Sequence, residues 1–255
     1  KLGLYTMGDV AQCSLIDEER LYKEFGKNAV YLIDQAWGRE PVDIPTIKSY
    51  RPESTSTSAG QVLTRPYTFD ETRIIILEMV DKLVLELVKK GLTTDQVMLM
   101  VGYDIENLTD PDRRAAYKGE ITTDHYGRQI PKHARGTANM GKHTSSTRLI
   151  TEKTLELFER IVDKKLLTRR LTITANHLLS ESEAQANAGA EQLTLFDEPG
   201  DIEKREADDA REKRMQKAVL DIMNRFGPNS IMKGTSYQDA ATGIERNKSI
   251  GGHHE

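Results

Sequence analysis

The sequence predicts an α+β protein whose main domain is a four-stranded sheet with two helices on one face. A long apolar stripe with helical spacing over residues 70–90 predicts the first of these helices. Apolar residues that alternate over residues 94–103 predict a strand directly after it. Three prolines within residues 39–53 separate this domain from a small helical unit that precedes it.

Length and composition exclude several classes of protein. The chain has 255 residues, of which 37% are apolar and 30% are charged, and it contains a single cysteine, Cys13. One thiol cannot form a disulfide within the chain, so a disulfide-stapled secreted scaffold is excluded. There is no long apolar run that would span a membrane and no signal-peptide pattern at the start. We therefore expect a cytoplasmic protein with no membrane partner.

The first 53 residues are predicted to form a helical unit and a linker. Apolar side chains recur every three to five residues over 8–38, which is typical of helices, and Gly26 and Gly38 interrupt them. Residues 39–53 carry Pro41, Pro45 and Pro52, which cannot donate backbone hydrogen bonds and predict an extended linker. We place a domain boundary near Tyr50, with residues 1–38 forming the helical unit.

The main domain begins with a strand, a helix and a second strand. Residues 54–64 are rich in serine and threonine and end in Val62-Leu63, which favours a strand closed by Arg65-Pro66. The helix over 70–90 ends at Gly91. The strand over 94–103 is apolar at both alternating sets of positions, so we expect both of its faces to be covered.

The second half of the domain is predicted to repeat this pattern. Residues 105–138 are polar and contain proline and glycine, which predicts a long loop. Residues 144–149 are predicted as a third strand, Thr151 begins a helix that runs to about residue 165, and residues 171–179 form a fourth strand. This order predicts a ferredoxin-like (β-α-β-β-α-β) sandwich over residues 54–180 with one sheet face open.

The C-terminal quarter is predicted to contain a flexible tether, one helix and an irregular tail. Residues 181–201 are dense in Ala, Glu, Gln and Gly, which predicts the tether. Apolar residues at helical spacing predict a helix over 202–226, and the tail follows to residue 255.

Charge is segregated along the chain. The total of 36 basic and 40 acidic residues, with a net charge of -4, argues against a generally basic nucleic-acid-binding protein. Residues 131–170, however, carry ten basic and four acidic side chains, whereas residues 171–212 carry three basic and eleven acidic ones. One surface could therefore bind phosphates and another would repel them, unless both are ordinary solvated faces.

The sequence contains no pattern typical of a catalytic or metal site. The six histidines have no partner at zinc-ligand spacing, and there is neither a phosphate-binding GxxxxGK[ST] loop nor a GxSxG nucleophile elbow. We predict no catalytic residue, no metal ligand and no cofactor for this chain.

Candidate anion-binding groups are more numerous. Gly3 and Gly8 stand ahead of a helix, where exposed backbone N–H groups could bind an anion, or where the helix simply begins. Hydroxyl and arginine side chains also occur on three predicted strands, as sequence-independent backbone contacts require. The segments that carry these hydroxyl and arginine side chains are residues 54–58, 144–148 and 169–172. The alternative interpretation is a solvent-facing, threonine-rich sheet.

Three large apolar side chains lie in the most polar part of the chain. Leu193, Leu195 and Phe196 follow Gln192 within the predicted tether, where no core is available to bury them. Such anchors in a disordered segment are typical of a docking peptide, although the segment could also pack back on its own domain.

With these motifs in view, the sequence resembles the C-terminal part of a bacterial Y-family (translesion) DNA polymerase of the polymerase V-like branch. GLYTMGDVA and LYKEFGKNAVYLIDQAWGRE resemble the end of the thumb with its helix-hairpin-helix. SAGQVLTRPYTFDE, HARGT, TSSTRLI and RRLTITANHLL resemble the little-finger domain, which grips the DNA backbone. QLTLF is similar to the family's sliding-clamp-binding motif, and IMNRFGPNSI and RNKSIGGHHE are similar to the ending of that branch.

The resemblance implies a part of a DNA-repair polymerase of the SOS response that binds damaged template-primer DNA and a sliding clamp. The family's palm carboxylates, which hold two Mg²⁺ ions, have no matching position here, so we expect the chain to be inactive alone and monomeric. The implied clamp contacts are Gln192, Leu193, Leu195 and Phe196. The implied phosphate contacts are Gly3, Gly8, Ser56, Ser58, Lys142, Thr147, Arg148, Arg169, Arg170 and Thr172.

Two other hypotheses remain at this stage. The chain could be a stand-alone, non-catalytic nucleic-acid-binding adaptor with a ferredoxin-like sheet. It could also be a metabolic enzyme built on that sheet, although this needs a pocket with converging titratable groups that the sequence does not offer.

Overall fold

A computed structural model of the chain describes residues 3–40, 42–49, 55–187 and 199–248, apart from the side chains of residues 199–206. The chain divides into two compact units, residues 1–53 and residues 54–255.

The helices and strands have the following bounds. The helices are α1 (Met7–Ile16), α2 (Glu18–Phe25), α3 (Asn28–Ala36), α4 (Ile44–Ser49), α5 (Phe69–Lys90), α6 (Glu106–Thr109), α7 (Pro111–Ala116), α8 (Thr147–Ile161), α9 (Glu181–Asn187), α10 (Pro199–Phe226) and α11 (Gly243–Arg246). The strands are β1 (Ser56–Tyr67), β2 (Leu92–Tyr103), β3 (Ile121–Thr123), β4 (Gln129–Pro131), β5 (Ala134–Thr144), β6 (Thr168–Asn176) and β7 (Leu179–Ser180).

The N-terminal unit is built from short helices around a small core. Val10, Leu21 and Ala29 are its buried apolar residues. The predicted extended linker also contains a helix, α4, so that prediction is wrong for these six residues. Asp43 explains the difference, because its carboxylate accepts a hydrogen bond from the Thr46 backbone N–H at 2.8 Å and so caps the first turn.

The second unit contains the predicted antiparallel sheet. Its strand order is β1-β6-β2-β5, and β7 extends β2 at one end. β6 lies between β1 and β2, which α5 connects, and β2 lies between β5 and β6, which α8 connects. Each β-α-β unit is therefore split by a strand of the other, and the α+β fold with its predicted order of elements is confirmed.

Both helices pack on one face of the sheet and bury the main core. Leu99 on β2 and Ile173 on β6 are fully buried there, together with Ile76 of α5 and Phe158 of α8. The Phe158 ring stacks on Phe69 with a centroid distance of 4.4 Å. This arrangement covers one sheet face, and the described residues of this unit place no helix on the other face.

Helix α5 follows its sequence prediction closely because both ends carry strong capping signals. Thr68 and Glu71 form a capping box, in which each side chain pairs with the other residue's backbone N–H. Gly91 ends the helix in the left-handed region at φ 65°, where an L side chain would be strained. Arg65 donates to the Glu71 carboxylate at 2.6 Å.

The Glu71 carboxylate of this capping box leads to a prediction of how stability depends on pH. Hydrogen bonds from Arg65, and then from Thr68, lower the pKa of Glu71 from 4.5 to about 2. Because folding lowers the pKa of Glu71, its ionised carboxylate stabilises the folded state. This stabilisation is complete above pH 4.5 and is lost as the pH falls towards 2. We expect Glu71→Gln to lower the thermal midpoint at neutral pH and to reduce its loss across this acid range. Thermal unfolding followed against pH tests this, with Glu86→Gln as the control.

Three sequence predictions in the middle of the domain are wrong. The third strand is β5, not residues 144–149, and residues 105–138 contain α6, α7 and the β3-β4 hairpin as well as the start of β5. β1 also continues through Pro66. The irregular pairing between Val62 and Tyr67 on this edge strand tolerates a residue without an N–H.

Only one face of β2 is covered by helices, whereas both faces were predicted to be covered. Val97, Leu99 and Val101 are buried, but Met98 and Met100 point to the other face and are only half-buried. Since methionine is apolar, the sequence alone predicts a strand that is covered on both faces. The structure places this second set of side chains on the face without helices.

The C-terminal part contains more helix than predicted. Residues 181–187 of the predicted tether form α9, and α10 already begins at Pro199. The segment after α10 includes a 3₁₀ turn over Gly234–Tyr237 and the short helix α11. The Glu78 carboxylate of α5 holds this segment by accepting the backbone N–H groups of Thr242 at 2.9 Å and Gly243 at 3.0 Å.

Candidate nucleic-acid interface

The sheet face opposite the helices is the candidate interface, and we call it the open face. Side chains alternate across a strand, so each residue that is buried against the helices is flanked by residues of the open face. We define the open face by those of its residues that pair with a residue of a neighbouring strand. These positions include two arginines and no acidic residue. These positions are Ser56, Ser58, Gly60 and Val62 on β1, Arg170, Thr172, Thr174 and Asn176 on β6, Gln96, Met98, Met100 and Gly102 on β2, and Arg135, Thr137 and Asn139 on β5.

A ladder of side-chain amides crosses one end of the open face. Asn176 donates through Nδ2 to Oε1 of Gln96 at 2.9 Å. Gln96 donates in turn through Nε2 to Oδ1 of Asn139 at 3.0 Å. These bonds fix three polar side chains from three neighbouring strands, so this end presents a preorganised polar surface.

The two arginines lie towards the other end. Both Arg135 and Arg170 are exposed, and neither forms an ion pair with a side chain in the described part of the chain. Gly102 stands beside Arg170, where an added Cβ would lie 3.3 Å from the Arg170 Cβ. Glycine at this position thus avoids a tight contact with the root of the Arg170 side chain.

The structure brings four of the sequence-predicted contacts together on the open face. Ser56 and Ser58 occupy the edge strand β1, and Arg170 and Thr172 occupy the adjacent strand β6. Arg170 is the cross-strand partner of both Val62 and Gly102. These four residues therefore share one face of the sheet.

Two predicted basic contacts form ion pairs instead. Arg169 lies at the irregularity between Arg170 and Thr168, and its Nε is 3.7 Å from the carboxylate of Asp104, which is 7% exposed. Lys142 has its Nζ 3.5 Å from Asp209 of α10. Neither residue is at a paired position of the open face.

Thr147 and Arg148 form the first turn of α8 and not a strand. Ser146 caps this helix, and the carboxylate of Glu212 accepts hydrogen bonds from the Ser146 hydroxyl at 2.6 Å and the Arg148 backbone N–H at 3.0 Å. Gln216 donates to the Thr147 hydroxyl at 2.9 Å. The two residues lie in the helical layer and under α10, so the prediction that they share the sheet surface is wrong.

The glycine turn before α1 is occupied by an acidic side chain. Asp9 accepts hydrogen bonds from the backbone N–H groups of Tyr5 and Thr6, each at 2.9 Å, and these bonds lower its pKa. Gly8 lies within α1, while Gly3 has a φ of 70°. Two of the N–H groups that the sequence offers to an anion thus already bind the carboxylate of Asp9.

The comparison with known families identifies the second unit. The family described as the impB/mucB/samB family C-terminal domain matches residues 54–195, which is more than half of the chain. The chain belongs to this family. It contains the C-terminal part of a Y-family translesion DNA polymerase, and the open face belongs to its little-finger domain. A search of curated proteins found no significant match.

The clamp-motif residues Gln192, Leu193, Leu195 and Phe196 lie outside the described residues of this polymerase domain. The family match ends at residue 195, within the motif.

Several residues of the open face were missed by sequence reasoning. Arg135 and Thr137 fell in a predicted loop, and Gln96, Asn139 and Asn176 had no obvious partners because their partners are far apart in the sequence. The available signal was the alternation of side chains along a strand. Residues that alternate with the buried Leu171 and Ile173, or with Val97 and Leu99, must lie on the face opposite the core.

No group of three or more histidine, cysteine or acidic residues in the described ranges could hold a metal ion. Among the same residues, no helix is long and apolar enough to cross a membrane.

Proposed function

We propose that the open face grips duplex template-primer DNA through its sugar-phosphate backbone. The observation that carries this proposal is the pair of exposed arginines, Arg135 and Arg170, on a surface whose paired positions contain no acid. Hydroxyl and amide donors on the same surface, such as Thr172 and Asn139, are typical partners of phosphate oxygens.

The side chains favour a duplex over a single strand. Sheets that bind single-stranded nucleic acid stack bases on aromatic side chains. None of the paired positions that define the open face is aromatic. This argues against an adaptor for single strands and for contacts that follow the outside of a duplex.

Backbone contacts suit a polymerase that copies damaged templates. Contacts to phosphates position a protein without identifying the bases, so a lesion in the template leaves them intact. We infer that binding depends little on sequence and falls steeply with salt. Nucleotide transfer and its Mg²⁺ ions would belong to the palm and fingers that the resemblance implies.

A second part of the proposal concerns the segment that contains QLTLF. We infer that Leu193, Leu195 and Phe196 anchor the chain in a pocket of a sliding clamp, with the Gln192 amide at its rim. A clamp that encircles DNA raises the local concentration of the little finger at the template. The resemblance to the polymerase V-like branch supports this role.

The DNA proposal is tested with Arg135→Ala combined with Arg170→Ala. We expect the affinity for a labelled template-primer duplex to fall by at least about tenfold at low salt, because two charge-assisted contacts are lost. The slope of the logarithm of affinity against the logarithm of salt concentration should fall by about two. Fluorescence polarisation on the full chain measures both quantities.

The matched control is Arg73→Ala combined with Lys89→Ala, which removes two exposed positive charges from α5 on the opposite layer. This variant should bind like the unaltered chain. If both variants lose affinity equally, binding follows net charge and the open face is not the interface.

A further inference from the structure

Two methionine sulfurs belong to the open face. Met98 and Met100 are half-buried there, in the central strand β2. The Nε of Arg135 lies 3.2 Å from the Sδ of Met98. A guanidinium that is proposed to bind phosphate thus donates a weak hydrogen bond to a thioether.

We propose that Met98 is a site of oxidation by hydrogen peroxide, and that its sulfoxide captures the guanidinium of Arg135 and weakens DNA binding. The consequence for DNA rests on the proposed function. The oxidation and the capture of Arg135 do not, and they can be measured without DNA.

The chemical step is an oxygen transfer to sulfur. The lone pair of the Met98 Sδ attacks one peroxide oxygen, the O–O bond breaks and an S–O bond forms. The sulfur loses two electrons, the peroxide is reduced, and its second oxygen leaves as water after proton transfer within the peroxide. The thioether becomes a sulfoxide without any other reactant.

The sulfoxide would change the partner choice of Arg135. A thioether sulfur is a weak acceptor, whereas the sulfoxide oxygen carries a large partial negative charge and accepts strongly from a cation. The Arg135 Nε–H is already directed at this sulfur, so the new oxygen forms within its reach. Arg170 has Gly102 and Val62 as its direct cross-strand partners, neither of which carries a sulfur.

Other methionines provide internal references. Met79 and Met140 are 1% and 7% exposed and should resist peroxide, while Met215 on α10 is 63% exposed and should react readily. Oxidation at Met215 changes a helix and leaves the open face unaltered.

The experiment treats the full chain and its Met98→Leu and Met215→Leu variants with hydrogen peroxide. Leucine conserves the volume of methionine, so both variants should fold. Peptide mass spectrometry locates each sulfoxide, and the NMR signal of the Arg135 Nε–H, assigned with Arg135→Lys, reports capture. We expect a sulfoxide at Met98, a shifted Arg135 signal and about fivefold weaker duplex binding, restored by methionine sulfoxide reductase.

Met98→Leu should lose no affinity on peroxide treatment, whereas Met215→Leu should lose as much as the unaltered chain. The inference is overturned if Met98 stays reduced while Met215 is oxidised, if its sulfoxide leaves the Arg135 signal unchanged, or if Met98→Leu loses affinity like the unaltered chain. Failure of the untreated chain to bind duplex DNA would instead overturn the proposed function, and the mass and NMR results would still decide the oxidation site and the capture.

Discussion

Replacing Leu195 and Phe196 together by alanine is expected to abolish binding of the chain to a sliding clamp. The two side chains are adjacent and are two of the three large apolar groups of this segment, so they would supply much of the area buried in a partner's pocket. Loss of two such anchors costs at least about 4 kcal/mol, which corresponds to a loss of affinity of about a thousandfold. Pull-down on immobilised clamp and calorimetry with the full chain measure the effect.

The matched control for the clamp is Thr194→Ala, which changes the residue between Leu193 and Leu195 and keeps the three large apolar side chains. Duplex binding by the double variant should equal that of the unaltered chain, because the open face is untouched. Retained clamp binding by the double variant would contradict the assignment of the motif.

The second large effect is expected at Asn107, a fully buried amide that connects α6 to the start of β6. Its Nδ2 donates to the carbonyl oxygens of Asp104 at 2.9 Å and Leu167 at 2.8 Å, and its Oδ1 accepts the Leu167 N–H at 2.9 Å. Asn107→Ala would leave the buried N–H of Leu167 without this partner, whereas the Leu167 carbonyl would keep the Asp104 N–H at 2.8 Å. We expect the free energy of unfolding to fall by about 3 kcal/mol.

Urea denaturation of the full chain measures this change. Asn139→Ala is the control, since this exposed asparagine has only one amide bond on the open face, to Gln96; its removal should cost at most about 0.5 kcal/mol. If Asn107→Ala is as mild as the control, the amide does not hold β6 in place.

Local signals explain where the sequence predictions of the fold succeeded. Helix α5 combines a continuous apolar stripe with a capping box at Thr68 and a left-handed glycine at Gly91, and all three act within a few residues of each other. β2 was found for the same reason, through the alternation of Val97, Leu99 and Val101. Such patterns need no knowledge of distant parts of the chain.

The missed elements depend on packing between distant segments. β5 has little apolar alternation because three of its helix-facing positions, Ala134, Gly136 and Ala138, are small. Gly136 is one of them, and an added Cβ there would lie 2.9 Å from Cδ1 of Leu157 on α8. Ser145 to Arg148, which follow the end of β5, contain β-branched and hydroxyl side chains that suit a strand or a helix cap equally well. Only the approach of α8 to the sheet decides between them.

The candidate site shows the same division. Side chains alternate along β6, so Arg170 and Thr172 lie on the face opposite that of Leu171 and Ile173. The face of the two polar residues could therefore be predicted once the register was known. Lys142 and the start of α8 are instead engaged by Asp209 and Glu212, which lie more than sixty residues away in the sequence. No local pattern predicts that α10 packs against these groups.

The sequence by itself determined the α+β class, the order of the main strands and helices, the family resemblance and the candidate clamp peptide, because periodicity, caps and short motifs are properties of neighbouring residues. Tertiary structure decided which basic residues remain available to DNA, since that depends on strand register and on acids brought in from other elements. The segregated charge of the sequence becomes a sheet face with two arginines, while other bases of the same stretch pair with acids elsewhere in the domain.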